Sequence, residues 1–336
     1  MISGRPIGCR PGRFAALAPV VLVASVLAGC SLNPPLDLDS LVAGPSAAQL
    51  LWVPFYPQQE YQCGPAALAG VLGAAGVTIA PAVLTRQVFL PGRQGSLQPE
   101  LLAATRRAGL IPYLIPAEPS ALLMQLRAGK PVLVLQNLQT RSVPVWHYAV
   151  VVGFDTARNQ VYLNSGGERG LAMSAPAFLR TWDWAGRWAM VALRPGELPA
   201  QPEVQNYIEA LATFESVAGS APAAPAWRAA LRQWPQDSRP YLALGNNAYS
   251  SGNLPVAIDY YRRGLQRSPG DPALANNLAS VLGELGCPEV ATSLLLPVSA
   301  AAGEDSRWQP LLADTLAELA VLERNDSSFC AALYRG

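Results

Sequence analysis

Two side chains in this 336-residue sequence, Cys63 and His147, are suited to nucleophilic chemistry at a carbonyl carbon. A cysteine attacks as its thiolate, and a nearby imidazole can take the thiol proton and later give it to a leaving group. His147 is the only histidine in the sequence, so no other imidazole can perform this proton transfer. The two residues together predict a Cys–His catalytic pair.

The elements predicted around these residues would position them for this chemistry. A Gly-Pro dipeptide follows Cys63, and this helix-start pattern predicts a helix over residues 65–75. The thiol would face the unpaired N–H groups and the positive end of that helix, and we expect this helix terminus, together with a nearby imidazolium, to lower its pKa. His147 begins an apolar run that predicts a β-strand over residues 147–154.

Each residue also has a purely structural interpretation. Cysteine is often a small buried apolar residue, and His147 could be a structural histidine between Trp146 and Tyr148. The polar segment 58–62, immediately before Cys63, argues against burial in an apolar core. Taken together, the two residues favour catalysis.

The sequence around the pair resembles a known peptidase family. Gln-x-x-x-x-Cys-Gly-Pro-Ala over residues 58–66, followed by His-Tyr-Ala-Val-Val-x-Gly over 147–153, is similar to the bacteriocin-processing (double-glycine leader) cysteine peptidases. It resembles more closely the bacterial lipoproteins that join such a papain-like domain to tetratricopeptide repeats. The resemblance covers residues 50–195 for the peptidase domain and 204–336 for the repeats.

This resemblance implies roles for individual residues. Cys63 would be the nucleophile and His147 its base. Gln58 would share the developing negative charge with the Cys63 backbone N–H. Gln59 is the alternative to Gln58, because Pro57 occupies the position that the family often gives to this glutamine.

The resemblance also implies a third member, Asn164, which would orient the imidazole ring. A turn at residues 155–158 predicts a hairpin, and pairing of Ala149 with Asn164 would place Asn164 diagonal to His147 on one sheet face. A register slip of one residue would place them on opposite faces. Asn164 could otherwise be a polar strand end, and Asp155, the other carboxylate near His147, is better suited to capping the turn.

The first part of the chain predicts an α+β fold with an antiparallel sheet, in which early helices precede adjacent strands. The predicted helices cover 65–75, 97–108 and 120–128, and the predicted strands cover 131–136, 147–154, 161–164 and 187–193. A Pro-rich linker at 195–202 ends this domain.

The second part of the chain repeats every 34 residues and predicts an all-α domain. Leu244 and Gly245 recur as Leu278 and Ala279, and the pattern resembles tetratricopeptide repeats that end in a capping helix. Small residues at recurring positions would let paired helices approach closely. A generic alanine-rich helical bundle is the alternative interpretation.

The N-terminus resembles a bacterial lipoprotein signal. Residues 1–29 combine basic residues, a short apolar stretch and the end sequence Leu-Ala-Gly, and Cys30 follows as the predicted lipidation site. Residues 30–49 would form a spacer, and Ser31 favours the outer membrane, facing the periplasm. An ordinary signal peptide or an uncleaved anchor are the alternatives.

The remaining composition limits cofactors and partners. In an oxidising compartment, Cys287 and Cys330 are candidates for a disulfide, although each could be a buried small residue. One histidine and dispersed cysteines predict no metal site or other cofactor. The net charge of +1 gives no indication of a nucleic-acid surface.

The sequence therefore predicts a lipid-anchored cysteine peptidase of the cell envelope. Its substrate would be an envelope protein or peptide, and the repeats would bind a protein partner or the substrate itself. Two alternatives remain: a cell-wall peptide amidase, and a non-catalytic scaffold that acts through its repeats.

Overall fold

The computed structural model describes residues 44–58, 62–303, 307–323 and 330. The predicted signal peptide, the lipidation site Cys30 and most of the predicted spacer lie outside these described residues, as does Gln59. No helix within the described ranges combines the length and apolar character needed to cross a membrane.

The described residues between 44 and 200 form an antiparallel sheet flanked by helices. The strands are β1 (Ala47–Gln49), β2 (Phe89–Leu90), β3 (Gly95–Ser96), β4 (Ile111–Leu114), β5 (Val132–Asn137), β6 (Trp146–Asp155), β7 (Gln160–Ser165), β8 (Glu168–Ser174) and β9 (Ala189–Leu193). The helices are α1 (Cys63–Ala74), α2 (Pro81–Val88), α3 (Gln98–Arg107), α4 (Pro119–Arg127) and α5 (Ala175–Asp183).

The main sheet has the order β4-β9-β5-β6-β7-β8, with β1 paired to β6. Its strand pairs are antiparallel, and β2 and β3 form a separate antiparallel hairpin. The predicted α+β class is confirmed, and each predicted helix and strand of this region corresponds to an observed one. The strands β1, β2, β3, β4 and β8 had no counterpart in the prediction.

The C-terminal region is helical, as predicted. It contains α6 (Val204–Ala218), α7 (Ser220–Gln233), α8 (Arg239–Ser250), α9 (Leu254–Arg267), α10 (Pro272–Glu284), α11 (Pro288–Ala302) and α12 (Gln309–Val321). Consecutive helices pack against one another, and Gly245 permits a close approach of α8 to α9. A Cβ on Gly245 would lie 2.3 Å from the ring of Tyr261. Cys287 and Cys330 are joined by a disulfide, with 5.5 Å between their Cα atoms.

The apolar core of the sheet continues into the helical region. One cluster of buried residues extends from Leu50 to Leu244, so it includes α6, α7 and the start of α8. The buried ring of Tyr207 on α6 contacts both Tyr113 of β4 and Trp234. Helix α6 is therefore packed against the edge of the sheet, and the predicted boundary at the Pro-rich linker lies within this shared core.

Candidate active site

Cys63 and His147 lie at the beginnings of two elements that pack together. Cys63 is the first residue of α1, His147 is the second residue of β6, and both are partly buried. They line the same cavity, which has a volume of about 820 Å³. The fold thus brings together the two residues that the sequence singles out as nucleophile and base.

The environment of the Cys63 thiol opposes ionisation more than it favours it. Burial raises the pKa of Cys63, and hydrogen bonds from the backbone N–H groups of Tyr148, Gly64 and Cys63 itself lower it without reversing the shift. The prediction of a lowered thiol pKa is therefore wrong, because the loss of solvation outweighs the helix N-terminus. The resting sulfur is a thiol surrounded by donors that would stabilise negative charge.

The imidazole of His147 is held by a hydroxyl group. Its Nε2 lies 2.9 Å from Oγ of Ser165, the last residue of β7. Burial lowers the pKa of His147, because the charged imidazolium loses hydration. The resting imidazole is therefore neutral at neutral pH, the state in which it can accept a proton.

The predicted register of β6 and β7 is wrong by one residue. Val150, not Ala149, pairs with Asn164. Residues directly opposite each other share a sheet face, and successive residues of a strand alternate, so Asn164 lies on the face opposite to His147. Ser165 takes the diagonal position on the face of His147 that the prediction had assigned to Asn164.

Asn164 has a structural role instead. Its side chain is buried, and its Oδ1 accepts a hydrogen bond of 3.1 Å from the backbone N–H of Gly170. That bond spans the connection between β7 and β8, where the strand register shifts between Leu163 and Ser165. Asn164 therefore supports the turn that follows Ser165 and does not contact His147.

The side chain of Gln58 joins the chain before Cys63 to the sheet. Its Oε1 accepts from the backbone N–H of Gly166 at 3.1 Å, and its Nε2 donates to the carbonyl of Tyr148 at 3.3 Å. Its backbone N–H also donates to the carbonyl of Gly166. Gln58 lines the cavity, but the amide is largely engaged in holding β6 and the turn after β7 together.

The hairpin of β2 and β3 forms a wall of the cavity that the sequence analysis missed. Ser96 packs so closely on Gly64 that a Cβ on Gly64 would lie 2.6 Å from the Ser96 hydroxyl oxygen. The hydroxyl of Tyr148 donates to the carbonyl of Ser96 at 3.3 Å. The Pro91-Gly92 pair and Gly95 are turn signals that could have predicted this hairpin.

The described residues contain no group of three or more His, Cys, Asp or Glu side chains that could hold a metal ion. The groups that converge on the cavity are a thiol, a neutral imidazole with its hydroxyl partner, and backbone N–H donors around the sulfur. This set can perform acyl transfer, in which the thiol attacks a carbonyl carbon and the imidazole moves the proton.

Comparison with known proteins agrees with this chemistry. Residues 50–187 match the model of the Peptidase_C39 like family. No curated protein sequence matches the chain.

Several solved structures resemble parts of the chain. A C39-like peptidase from Bacillus anthracis is 17% identical with a TM-score of 0.39, covering 45% of this chain and 98% of that one. The peptidase domain of Streptococcus ComA, a bifunctional ABC transporter of a quorum-sensing pathway, is 22% identical with a TM-score of 0.34. The similarity covers 42% of this chain and 98% of that one. The type III secretion translocator chaperone SycD of Yersinia enterocolitica is 17% identical with a TM-score of 0.33. The similarity covers 35% of this chain and 83% of that one. The family match thus identifies residues 50–187, which include Cys63 and His147, as similar to the Peptidase_C39 like family.

Proposed function

We propose that this protein is a cysteine peptidase that hydrolyses an amide bond of a peptide or protein through Cys63 and His147. The observation that carries the proposal is the convergence of the Cys63 thiol and the His147–Ser165 pair on one cavity. The match of residues 50–187 to the Peptidase_C39 like family supports the same chemistry.

In the first half of the reaction, His147 acts as a general base. In the tautomer whose Nε2–H donates to the Ser165 hydroxyl oxygen, Nδ1 is unprotonated and can take the proton of Cys63 as the sulfur attacks the carbonyl carbon. This order follows from a resting pair that is a neutral thiol and a neutral imidazole. The imidazolium then gives the proton to the departing amine, and the acyl group stays on Cys63 as a thioester.

In the second half, His147 takes a proton from water, and the resulting hydroxide equivalent attacks the thioester carbonyl. The proton returns to the sulfur as the acid product leaves, so the enzyme regains its starting state. The backbone N–H of Cys63, at the N-terminus of α1, supports the developing oxyanion in both halves. The Gln58 amide hydrogen that is not donated to Tyr148 would be a second donor to it.

The cellular setting proposed for this activity follows from the N-terminal sequence pattern. Cys30 would carry the lipid, and Ser31 would direct the protein to the outer membrane, facing the periplasm. The helices after residue 204 would present a protein partner or the substrate itself, as tetratricopeptide-like repeats do. The Cys287–Cys330 disulfide agrees with an oxidising compartment.

A second candidate function is a non-catalytic scaffold with a peptidase-like domain. The raised pKa of Cys63 favours it, since an unactivated thiol is a poor nucleophile. The imidazole that lines the same cavity favours catalysis, because a general base removes the need for a preformed thiolate.

The test incubates the purified protein with a proteome-derived peptide mixture and, separately, with purified peptidoglycan peptides. Mass spectrometry would identify the new peptide termini that cleavage creates, and the Cys63→Ala variant is the negative control. We expect new termini from the peptide mixture with the wild-type protein and none with Cys63→Ala. Cleavage of the peptidoglycan peptides alone would identify a cell-wall amidase, and cleavage of neither substrate would support the scaffold.

A further inference from the structure

The cavity around Cys63 carries positive charge and no described negative charge. Among the described residues that line it, Arg93 is the one with a formally charged side chain, and none has a carboxylate. The N-terminus of α1 opens onto the same space and adds the positive end of a helix dipole. The fixed charges of the described lining residues therefore favour an anionic group.

Arg93 lies on the β2–β3 hairpin, which packs against the start of α1 next to Cys63. It ends a 3₁₀ turn between β2 and β3, and the backbone N–H of Gln94 closes that turn on the carbonyl of Pro91. At the base of the hairpin, Ser96 packs against Gly64, the residue after Cys63. Among the residues that the structure describes, none forms a hydrogen bond or an ion pair with the Arg93 guanidinium.

Part of the cavity wall near His147 is apolar. Val145 and Trp146 immediately precede His147, line the cavity, and are 45% and 54% exposed. Leu97 and Leu135 contribute further apolar surface to the same cavity. Exposed apolar side chains at the rim of a cleft favour a ligand that covers them with an apolar group.

We infer that the cleft selects peptide segments in which a bulky apolar residue lies close to a carboxylate, with the carboxylate bound by Arg93 and the apolar side chain packed on Val145 and Trp146. This inference rests on the proposed function, because it names the substrate class of the same site. Two sources of the carboxylate fit equally, an acidic side chain within the peptide and a free C-terminus.

The first test measures the charge effect without requiring catalysis. Cys63 is alkylated with iodoacetate, which is anionic, and with iodoacetamide, which is neutral and similar in size. The ratio of the two rates reports the local potential at the sulfur and cancels any change in the thiol pKa. Both rates are measured at about pH 8.5, near the ordinary pKa of a thiol.

We expect Arg93→Glu to lower the iodoacetate-to-iodoacetamide rate ratio about fivefold at low salt, and less at high salt. Arg86→Glu is the matched control, because Arg86 is exposed on the neighbouring helix α2, where its guanidinium contacts the carbonyl of Ala82. It should leave the ratio near the wild-type value. An unchanged ratio in Arg93→Glu, with Cys63 still reactive to iodoacetamide, would overturn the inference and leave the proposed function intact.

The second test identifies the source of the carboxylate. The peptide mixture is prepared with free and with amidated C-termini, and the residues around each new terminus are compared between wild type and Arg93→Glu. Enrichment of Asp or Glu beside an apolar residue, lost in Arg93→Glu, identifies an acidic side chain. Dependence on the free terminus identifies a terminal carboxylate. Cleavage with neither preference would overturn the inference.

Discussion

The imidazole Nε2 of His147 lies 2.9 Å from the hydroxyl oxygen of Ser165. This contact places a neutral hydroxyl at the position, diagonal to His147, that the sequence had predicted for Asn164. A hydroxyl can accept the Nε2–H bond and so select the tautomer and orientation of the ring. It brings no negative charge to stabilise the imidazolium, which agrees with the lowered pKa of His147.

Ser165 should therefore matter for catalysis more than Asn164 does. We expect Ser165→Ala to lower kcat/KM by about tenfold to a hundredfold, because a misoriented ring is a poor base, while the fold is retained. Ser165→Asp should restore the hydrogen bond and shift the acid limb of the pH–rate profile to higher pH, since a carboxylate raises the imidazole pKa. The measurement is kcat/KM against pH for each variant.

Asn164→Ala is the matched control for this prediction. It removes the bond to the backbone of Gly170, so it should lower thermal stability and change kcat/KM less than Ser165→Ala does. A variant pair with the opposite order, in which Asn164→Ala is inactive and Ser165→Ala is unaffected, would contradict the assignment.

The reactivity of Cys63 should depend on pH in a specific direction. Its raised pKa means that the thiolate forms only above the pH range of an ordinary thiol, so the iodoacetamide rate should keep rising with pH where glutathione has levelled off. His147, with its lowered pKa, stays neutral to lower pH than a free histidine. A rate plateau that extends into acidic solution would show a preformed thiolate–imidazolium pair and contradict this prediction.

The contact of the β2–β3 hairpin with α1 should be sensitive to one methyl group. In Gly64→Ala, the added Cβ would overlap Ser96, so we expect a displaced hairpin, a loss of about 1–3 kcal/mol in unfolding free energy and a lower kcat/KM. Gly92→Ala is the control on the same hairpin, because a Cβ there meets nothing within 4 Å. Adding Ser96→Gly to Gly64→Ala should restore activity; failure to do so would mean that the overlap is not the cause.

The positions of Cys63 and His147 could be predicted from the sequence because their signals are local. A Gly-Pro pair begins a helix, and an apolar β-branched run forms a strand, whatever the rest of the chain does. The orienting residue depends instead on the register between two strands. The register between β6 and β7 shifts by one residue between Val151 and Gly153, so the pairs on the His147 side of the shift do not follow the register set at the turn. The turn sequence alone therefore does not determine which residue of β7 lies near His147.

Gly153 was the available signal for that shift. A Cβ at this position would lie 2.5 Å from the carbonyl oxygen of Ala48, so the glycine permits β1 to approach β6 closely. A glycine inside a strand pattern often marks a bulge or such an approach. Pairings between distant segments, such as Ile111 with Leu193, depend on tertiary packing and had no local signal. The thiol pKa was mispredicted for the same reason, since burial is a property of the whole fold.

Reduction of the Cys287–Cys330 bond should destabilise the C-terminal helices. The two residues are separated by 43 positions, and the chain-entropy relation assigns a loop of this size about 4 kcal/mol. We expect the double variant Cys287→Ser/Cys330→Ser to unfold at lower urea concentration than the wild type. A reductant should lower the unfolding midpoint of the wild type and leave that of the double variant unchanged. Equal unfolding midpoints for the oxidised and reduced wild type would show that the bond adds no stability.

The most direct test of the proposed catalysis is to trap the acyl group on Cys63. The wild-type protein is mixed with the best-cleaved peptide of the mixture and quenched in acid within a single turnover, and the intact protein is weighed by mass spectrometry. The account predicts a mass increase equal to the N-terminal fragment of the peptide, located on Cys63. It also predicts that Cys63→Ala and His147→Ala lose about a thousandfold or more in cleavage rate. Cleavage that persists in Cys63→Ala, with no adduct on the wild-type protein, would contradict it.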